Sequence, residues 1–296
     1  MAPLSHHPSG EATPTPPSGS GEGPEGPRWA QEQLDRRNRQ LGHAGVARAQ
    51  GILAGRYRLQ GADEAFALLK TASQQSNIKL HTLADAVVRT PAPDQDATAW
   101  FPGRTRSHPP RLPWLRPEGS AHNQGAVLKT ALRRVLTITQ TPMGNVQLAE
   151  SGRLHLARHT GLNKYFTDFF AFVEGPTTSC AQAASARRQV TVRDVGTATV
   201  FDEASRHAIL QTGSRAAHSV PLAIGNGQVR GMISSHHERP SSGFTRAQLA
   251  ALQQTGSDVG GWLSWHWRTV VLDALEHLHT QAVSTCRRPE GAPVGP

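Results

Sequence analysis

Cysteine is nearly absent: Cys180 and Cys286 are the only two in 296 residues. They are too few and too far apart for a disulfide framework or a thiolate metal set, so reduced thiols in a cytoplasmic protein are expected. Aromatic residues make up 5% of the chain. No apolar run approaches the ~18 residues of a membrane-crossing helix, so no membrane partner is expected. The first residues are proline, glycine and serine without an apolar core, which argues against secretion. Lysine is scarce too, with Lys70, Lys79, Lys129 and Lys164 the only four among 31 basic residues. The formal charge is still +9. That balance leans toward a polyanion such as nucleic acid, although arginine-rich composition alone produces the same figure.

Composition divides the chain. Residues 1–27 are rich in Pro, Gly, Ser and Thr and read as a disordered tail, as does 286–296. Residues 91–124 hold seven prolines with Trp100, Phe101 and Trp114. A stiff linker is the first reading; docking of its aromatics onto a neighbouring domain is the second.

Residues 28–90 carry three helical patterns. Val46, Ala49, Ile52 and Leu53 share one face, predicting a first helix from near Pro27 to Gly55. Leu34 and Leu41 lie one heptad apart, which suits either a short coiled-coil dimer or one intramolecular amphipathic helix. Asp63 is placed to cap a second helix with Ala65, Phe66, Leu68, Leu69 and Ala72 inward. Leu80, Leu83, Ala84, Val87 and Val88 form the stripe of a third. Between them, residues 73–79 read as a tight turn anchored by Ile78. Lys70, Gln74, Ser76, Asn77, Lys79, His81 and Thr82 are then the exposed donors around it. Ten basic residues against five acidic ones over 28–90 give a mild positive footprint. Ammonium, amide and hydroxyl groups on a helix end suit the phosphates and base edges of RNA loops.

Three stretches carry a resemblance: Ala49-Gln50-Gly51-Ile52-Leu53, Asp63-Glu64-Ala65-Phe66-Ala67-Leu68-Leu69, and Ser76-Asn77-Ile78-Lys79-Leu80 followed by Leu83-Ala84. On these residues 34–90 resemble an ANTAR domain, the three-helix RNA-binding antitermination module of bacterial regulators. Gln50 stands where that family commonly has lysine. The resemblance implies dimers joined through the first helix, with the last two helices meeting stem-loops of nascent transcripts.

Residues 125–285 read as an α+β domain. Leu128, Leu132 and Val135-Leu136 mark a helix; Asn145–Leu148 and Arg153–Ala157 alternate around Ser151-Gly152 as a hairpin. Gly161 to Phe172 reads as helical, Cys180 opens a small-residue helix, Gln189–Val195 alternates, and Glu203–Gly213 is helical. A second hairpin surrounds Asn226-Gly227, and one long helix runs from about Thr245 through Leu278. An antiparallel sheet covered by helices follows. Met143–Leu148, Gly152-Arg153-Leu154, Phe169-Phe170, Cys180-Ala181-Gln182-Ala183, Val192–Val195 with Phe201, and Ser219–Leu222 with Gly231–Ser234 resemble a GAF domain over about 130–265. This subtype frequently partners ANTAR domains in bacterial sensors. GAF domains host many small molecules or none, so the resemblance adds a small-molecule ligand as a candidate partner and leaves the cofactor unassigned.

The expected fold is thus multidomain: a small all-α three-helix ANTAR-like bundle (28–90), the linker, and an α+β GAF-like domain with a central antiparallel sheet (125–285). Cys180, at a helix start, is the ligand or redox candidate if the helix dipole lowers its pKa; a small buried core residue is the plainer reading. His155 and His159 have i, i+4 spacing but lie on a strand, so no metal site is assigned. His236-His237 reads as an exposed turn, and Glu276-His277-Leu278-His279 as a solvated helix face. No catalytic motif or phosphate loop is found, and a non-enzyme is expected. The principal expectation is a regulator binding stem-loop pairs in leader RNA under control of the GAF-like domain. A sensor acting through protein contacts, its bundle only dimerising, and a duplex-DNA binder are the alternatives.

Overall fold

The computed structural model describes residues 28–94, 97–115, 122–175, 177–225 and 227–286. Residues 1–27 and 287–296 of the expected tails and Asn226 of the expected hairpin turn lie outside these, while Cys286, expected to open the second tail, ends the last helix. Helix α1 spans Arg28–Tyr57, α2 Ala62–Gln75 and α3 Leu80–Arg89. Asp63 does not cap α2. The N-cap is Gly61 at φ 143°, without a side-chain bond, and Glu64 instead accepts from the Gln60 amide at 2.6 Å. Asp63 and Glu64 still sit in the first turn, where the helix dipole favours negative charge.

The second unit begins with α4 (Gln124–Thr139). There follow β1 (Met143–Glu150), β2 (Arg153–Thr160), α5 (Lys164–Phe169), β3 (Phe172–Val173), α6 (Ser179–Ala186), β4 (Val190–Val192), α7 (Glu203–Gln211), β5 (Ala216–Pro221) and β6 (Gly231–His237). The sheet is antiparallel throughout, in the order β3-β2-β1-β6-β5-β4. Ser151 and Gly152 take positive φ of 49° and 78°, the pair a two-residue hairpin turn requires. One face of the sheet packs Val146, Leu148, Val220 and Ile233 against Leu128, Leu132 and Leu136 of α4. The opposite face packs Met143, Leu154 and Met232 against Phe166, Cys180, Ala183 and Ile209.

The long C-terminal helix is not uniform. It comprises α8 (Arg246–His266), a π turn (Trp267–Val271) and α9 (Leu272–Cys286). α8 lies close on β5: a Cβ on Gly256 would stand 2.6 Å from the Pro221 carbonyl, and one on Gly260 would collide with the Ala223 backbone. Leu252, Val259, Trp262 and Leu263 of α8 join the sheet core. A π turn adds a residue per turn and so re-phases the side chains beyond it. From its last residue onward, Val271, Ala274, Leu275, Leu278 and Ala282 enter a different core, with Leu53, Leu69, Leu83 and Val87 of α1–α3. The N-terminal bundle is therefore completed by α9.

Polar contacts fix that docking. His279 donates through Nε2 to the Ala97 carbonyl at 3.0 Å, which leaves Nδ1 to accept from Tyr57 Oη at 2.8 Å. Glu276 accepts from the Trp100 and Phe101 amides at 2.8 and 2.9 Å, and Asp273 pairs with Arg104 and Arg106. The face expected to be solvated is an interface. The proline-rich segment lies along the same helix, with Trp100 buried in the bundle core, Leu112 in the sheet core, and Trp114 Nε1 donating to Asp258 at 3.0 Å.

Candidate RNA interface and its junction with the sensor

The α2–α3 connection is built by local bonds. Ser73 Oγ donates to the Ile78 carbonyl at 2.8 Å and the Ile78 amide donates back to Ser73 at 3.1 Å. Asn77 occupies the left-handed region at φ 50°, which asparagine tolerates better than most side chains. Lys70, Gln74, Asn77 and Lys79 are exposed, and Ser76 is half-buried. Among the described residues neither Lys70 nor Lys79 enters an ion pair. Phe66, read from the sequence as core, is 37% exposed. It precedes Lys70 and Gln74 at i, i+4 and i+8, so the three form one outward stripe of α2. Gln50 donates to the Ala62 carbonyl at 3.0 Å and tethers α1 to the start of α2.

Thr82 is buried and not a free donor, and His81, though exposed, has its Nδ1 engaged. α3 is buried on every side from Thr82 through Val87, because α1, α9 and the β1–β2 hairpin surround it. Glu150, last residue of β1, holds both: Thr82 Oγ1 donates to Oε1 at 2.8 Å, and His81 Nδ1 lies 2.6 Å from Oε2. One turn on, buried Asp85 accepts from the amide and hydroxyl of Ser151, each at 2.9 Å, and pairs with Arg89 at 3.1 Å. Burial alone would raise the Glu150 pKa. The hydrogen bond from His81 and the neighbouring His155 and His81 charges outweigh it, and the carboxyl ends below its ordinary value. The sequence does not single out Glu150 or Asp85, and marks Ser151 only as a turn residue; their partners lie 66 to 69 positions away.

The heptad face of α1 also meets the sheet domain of its own chain. Gln31 Nε2 donates to Asp168 Oδ2 at 2.7 Å, Asn38 Nδ2 to the Asp168 carbonyl at 2.8 Å, and Arg37 to the Phe172 carbonyl at 3.3 Å. Leu34 and Leu41 are half-buried. Leu41 lines a cavity of about 710 Å³ between α1, α3 and the β1–β2 hairpin. In this structure the face expected to pair two chains is partly covered intramolecularly.

Cys180 faces a cleft between the sheet and α5–α7 of only about 20 Å³, lined also by Asn145, Phe166, Phe170 and His236. That volume suits about one water. Its Sγ lies 3.0 Å from Thr178 Oγ1, and burial pushes the thiol pKa up, opposite to the lowering a helix start was expected to give. The thiol is a protonated core group in this state. His236, expected in a turn, is buried in β6 with Nε2 3.2 Å from Asn145 Oδ1. Burial depresses its pKa to about 3.

The ANTAR domain family matches residues 31–88 and the GAF domain family residues 124–261, so the chain is an ANTAR domain followed by a GAF domain. No curated protein matches the sequence. Among solved structures, the GAF domain/HD domain protein from Geobacter sulfurreducens is similar at 20% identity and TM-score 0.42, over 49% of this chain and 95% of that one. The GAF domain from Acinetobacter phosphoenolpyruvate-protein phosphotransferase is similar at 13% identity and TM-score 0.39, over 48% and 82%. Free methionine-R-sulfoxide reductase from Neisseria meningitidis is similar at 15% identity and TM-score 0.37, over 48% and 81%. No helix among the described residues is long and apolar enough to cross a membrane.

Proposed function

We propose that the ANTAR domain binds paired stem-loops in nascent leader transcripts and promotes antitermination, under control of the GAF domain. The observation that carries this reading is the exposed stripe Phe66, Lys70 and Gln74 beside Asn77 and Lys79. The two ammonium groups neutralise phosphates, the amides read base edges, and Phe66 offers a ring on which a splayed base stacks. Thr82 leaves the proposed surface, being buried and committed to Glu150, while His81 stays exposed at its edge with Nδ1 held by the same carboxylate. Binding two adjacent loops calls for two such surfaces. A dimer through Leu34 and Leu41 competes with docking of α1 on its own sensor domain, so a signal acts by favouring one arrangement over the other.

The test is binding of the purified protein to paired-hairpin RNAs from leader regions of its own genome, at two salt concentrations. Duplex DNA and the Asn77→Ala/Lys79→Ala double variant serve as controls. Salt-sensitive, hairpin-selective binding that the double variant loses is the expected result. Equal weak binding to every nucleic acid would sink the proposal and favour a second reading. In that reading the sensor works through protein contacts, for which the integration of α3 and α9 into one interdomain core speaks.

A further inference from the structure

The junction between α3 and the β1–β2 hairpin gathers three metal-ligating side chains that the RNA reading does not use. We propose that His81, Glu150 and His155 bind a zinc-class divalent ion that clips the ANTAR domain to the GAF domain. One ligand atom from each lies within 4.8 Å of the other two. Glu150 Oε2 is the hub, 2.6 Å from His81 Nδ1 and 3.6 Å from His155 Nδ1. Tetrahedral zinc with nitrogen and oxygen ligands at 2.0–2.1 Å sets neighbouring donors about 3.3 Å apart. Seating an ion therefore opens the first spacing, closes the second slightly, and draws the two histidine nitrogens, now within 4.8 Å, toward the same separation.

Three further features point to an occupant. His155 Nδ1 is buried without a hydrogen-bond partner, and buried polar atoms of this kind normally have one. The two imidazole rings meet edge to face at 4.8 Å between centroids, both turned to the same carboxylate oxygen. Thr82 holds the other carboxylate oxygen at 2.8 Å, the outer-partner arrangement that orients a ligating carboxylate. All three side chains line the cavity of about 710 Å³, so a fourth position stays open to water. Arg48, Arg89 and Arg153 line the same cavity. Arg89 is paired with Asp85 and Arg153 with Glu174, and an anionic fourth ligand would suit this rim. Two nitrogens and one carboxylate oxygen select zinc over the all-oxygen preference of magnesium or calcium.

The inference stands on the junction alone and does not require RNA binding. The test is calorimetric titration of the full-length, chelator-stripped protein with zinc chloride, with magnesium chloride as control. His81→Ala, His155→Ala and Thr82→Ala variants run alongside, and circular dichroism checks each fold. His81→Ala leaves the Thr82–Glu150 bond in place, so it tests the ligand without removing the staple. One zinc per chain, no heat with magnesium, and affinity lower by roughly 100-fold or more in both histidine variants are expected. Thr82→Ala, which removes an outer partner, should cost roughly tenfold. Zinc should also slow amide exchange in α3 and the β1–β2 turn together. Equal zinc affinity in the wild type and His81→Ala, or no stoichiometric zinc in the wild type, overturns the proposal.

Discussion

Replacing Leu278 by alanine should loosen the ANTAR bundle from a distance of some two hundred residues in sequence. Leu278 is fully buried, as are Leu53, Leu69 and Leu83, which it joins in one core. Emptying such a site costs about 2–5 kcal/mol, from lost transfer energy and from the cavity left behind. A bundle of roughly sixty residues holds only a few kcal/mol of its own. The loss therefore takes most of the margin of α1–α3 and little from the sheet core, which is a separate cluster. At about 3 kcal/mol, and 1.4 kcal/mol per factor of ten, amides of α2 and α3 should exchange on the order of 100-fold faster. Amides of β1 and β6 should keep their rates. Native-state hydrogen exchange of wild type and variant measures both at once. If α2 and α3 exchange at the wild-type rate, α9 is not a structural member of the bundle and the reasoning fails.

Tyr57→Phe should lower stability by about 1–3 kcal/mol in thermal or urea unfolding, because it strands His279 Nδ1 in a buried site; an unchanged midpoint would contradict the hydrogen-bond assignment. Gly260→Ala should destabilise by about 3 kcal/mol, since its methyl would collide with the Ala223 backbone; a variant melting like wild type would mean α8 rides higher on β5. Burial depresses His236 to about 3 and His218 and His266 to about 4. The unfolded chain therefore binds more protons below pH 6.5, and stability is level above that and falls as pH drops toward 3–4. At pH 5 each histidine should cost about 2 kcal/mol relative to pH 8, at roughly 1.4 kcal/mol per pH unit. Urea midpoints at the two pH values measure this, and a flat profile would mean these imidazoles protonate in place.

Local pattern revealed the elements that depend on near neighbours. The β1–β2 hairpin was legible because Ser151-Gly152 and the flanking alternation act within ten residues, and the α2–α3 turn for the same reason. The helix expected over Gly161–Phe172 shrinks to Lys164–Phe169, since Asn163 caps it by accepting from the Phe166 amide and Phe172 leaves to pair with β2. Aromatic spacing alone does not show that competition. Phe66, Thr82 and His279 were each misread for one reason: their exposure is decided by elements far away in sequence. A polar residue such as His279 looks solvated until a tyrosine from α1 is known to meet it. The π turn that aims α9 into the first bundle has no residue signature in Trp267–Val271 that distinguishes it from ordinary helix.

The closing of an N-terminal bundle by α9 also sets a schedule. Tyr57 and His279 are 222 positions apart, and ribosomes add about 5–20 residues per second. The segment that carries Lys70 and Lys79 thus emerges roughly ten to forty-five seconds before the helix that completes its core. Until then the core of Leu53, Leu69 and Leu83 lacks the side that α9 supplies, and the whole sheet domain is made in the interval. The ANTAR domain reaches its final packing only in chains whose sensor has already been synthesised, so a truncated product would carry the basic turn on an unfinished bundle.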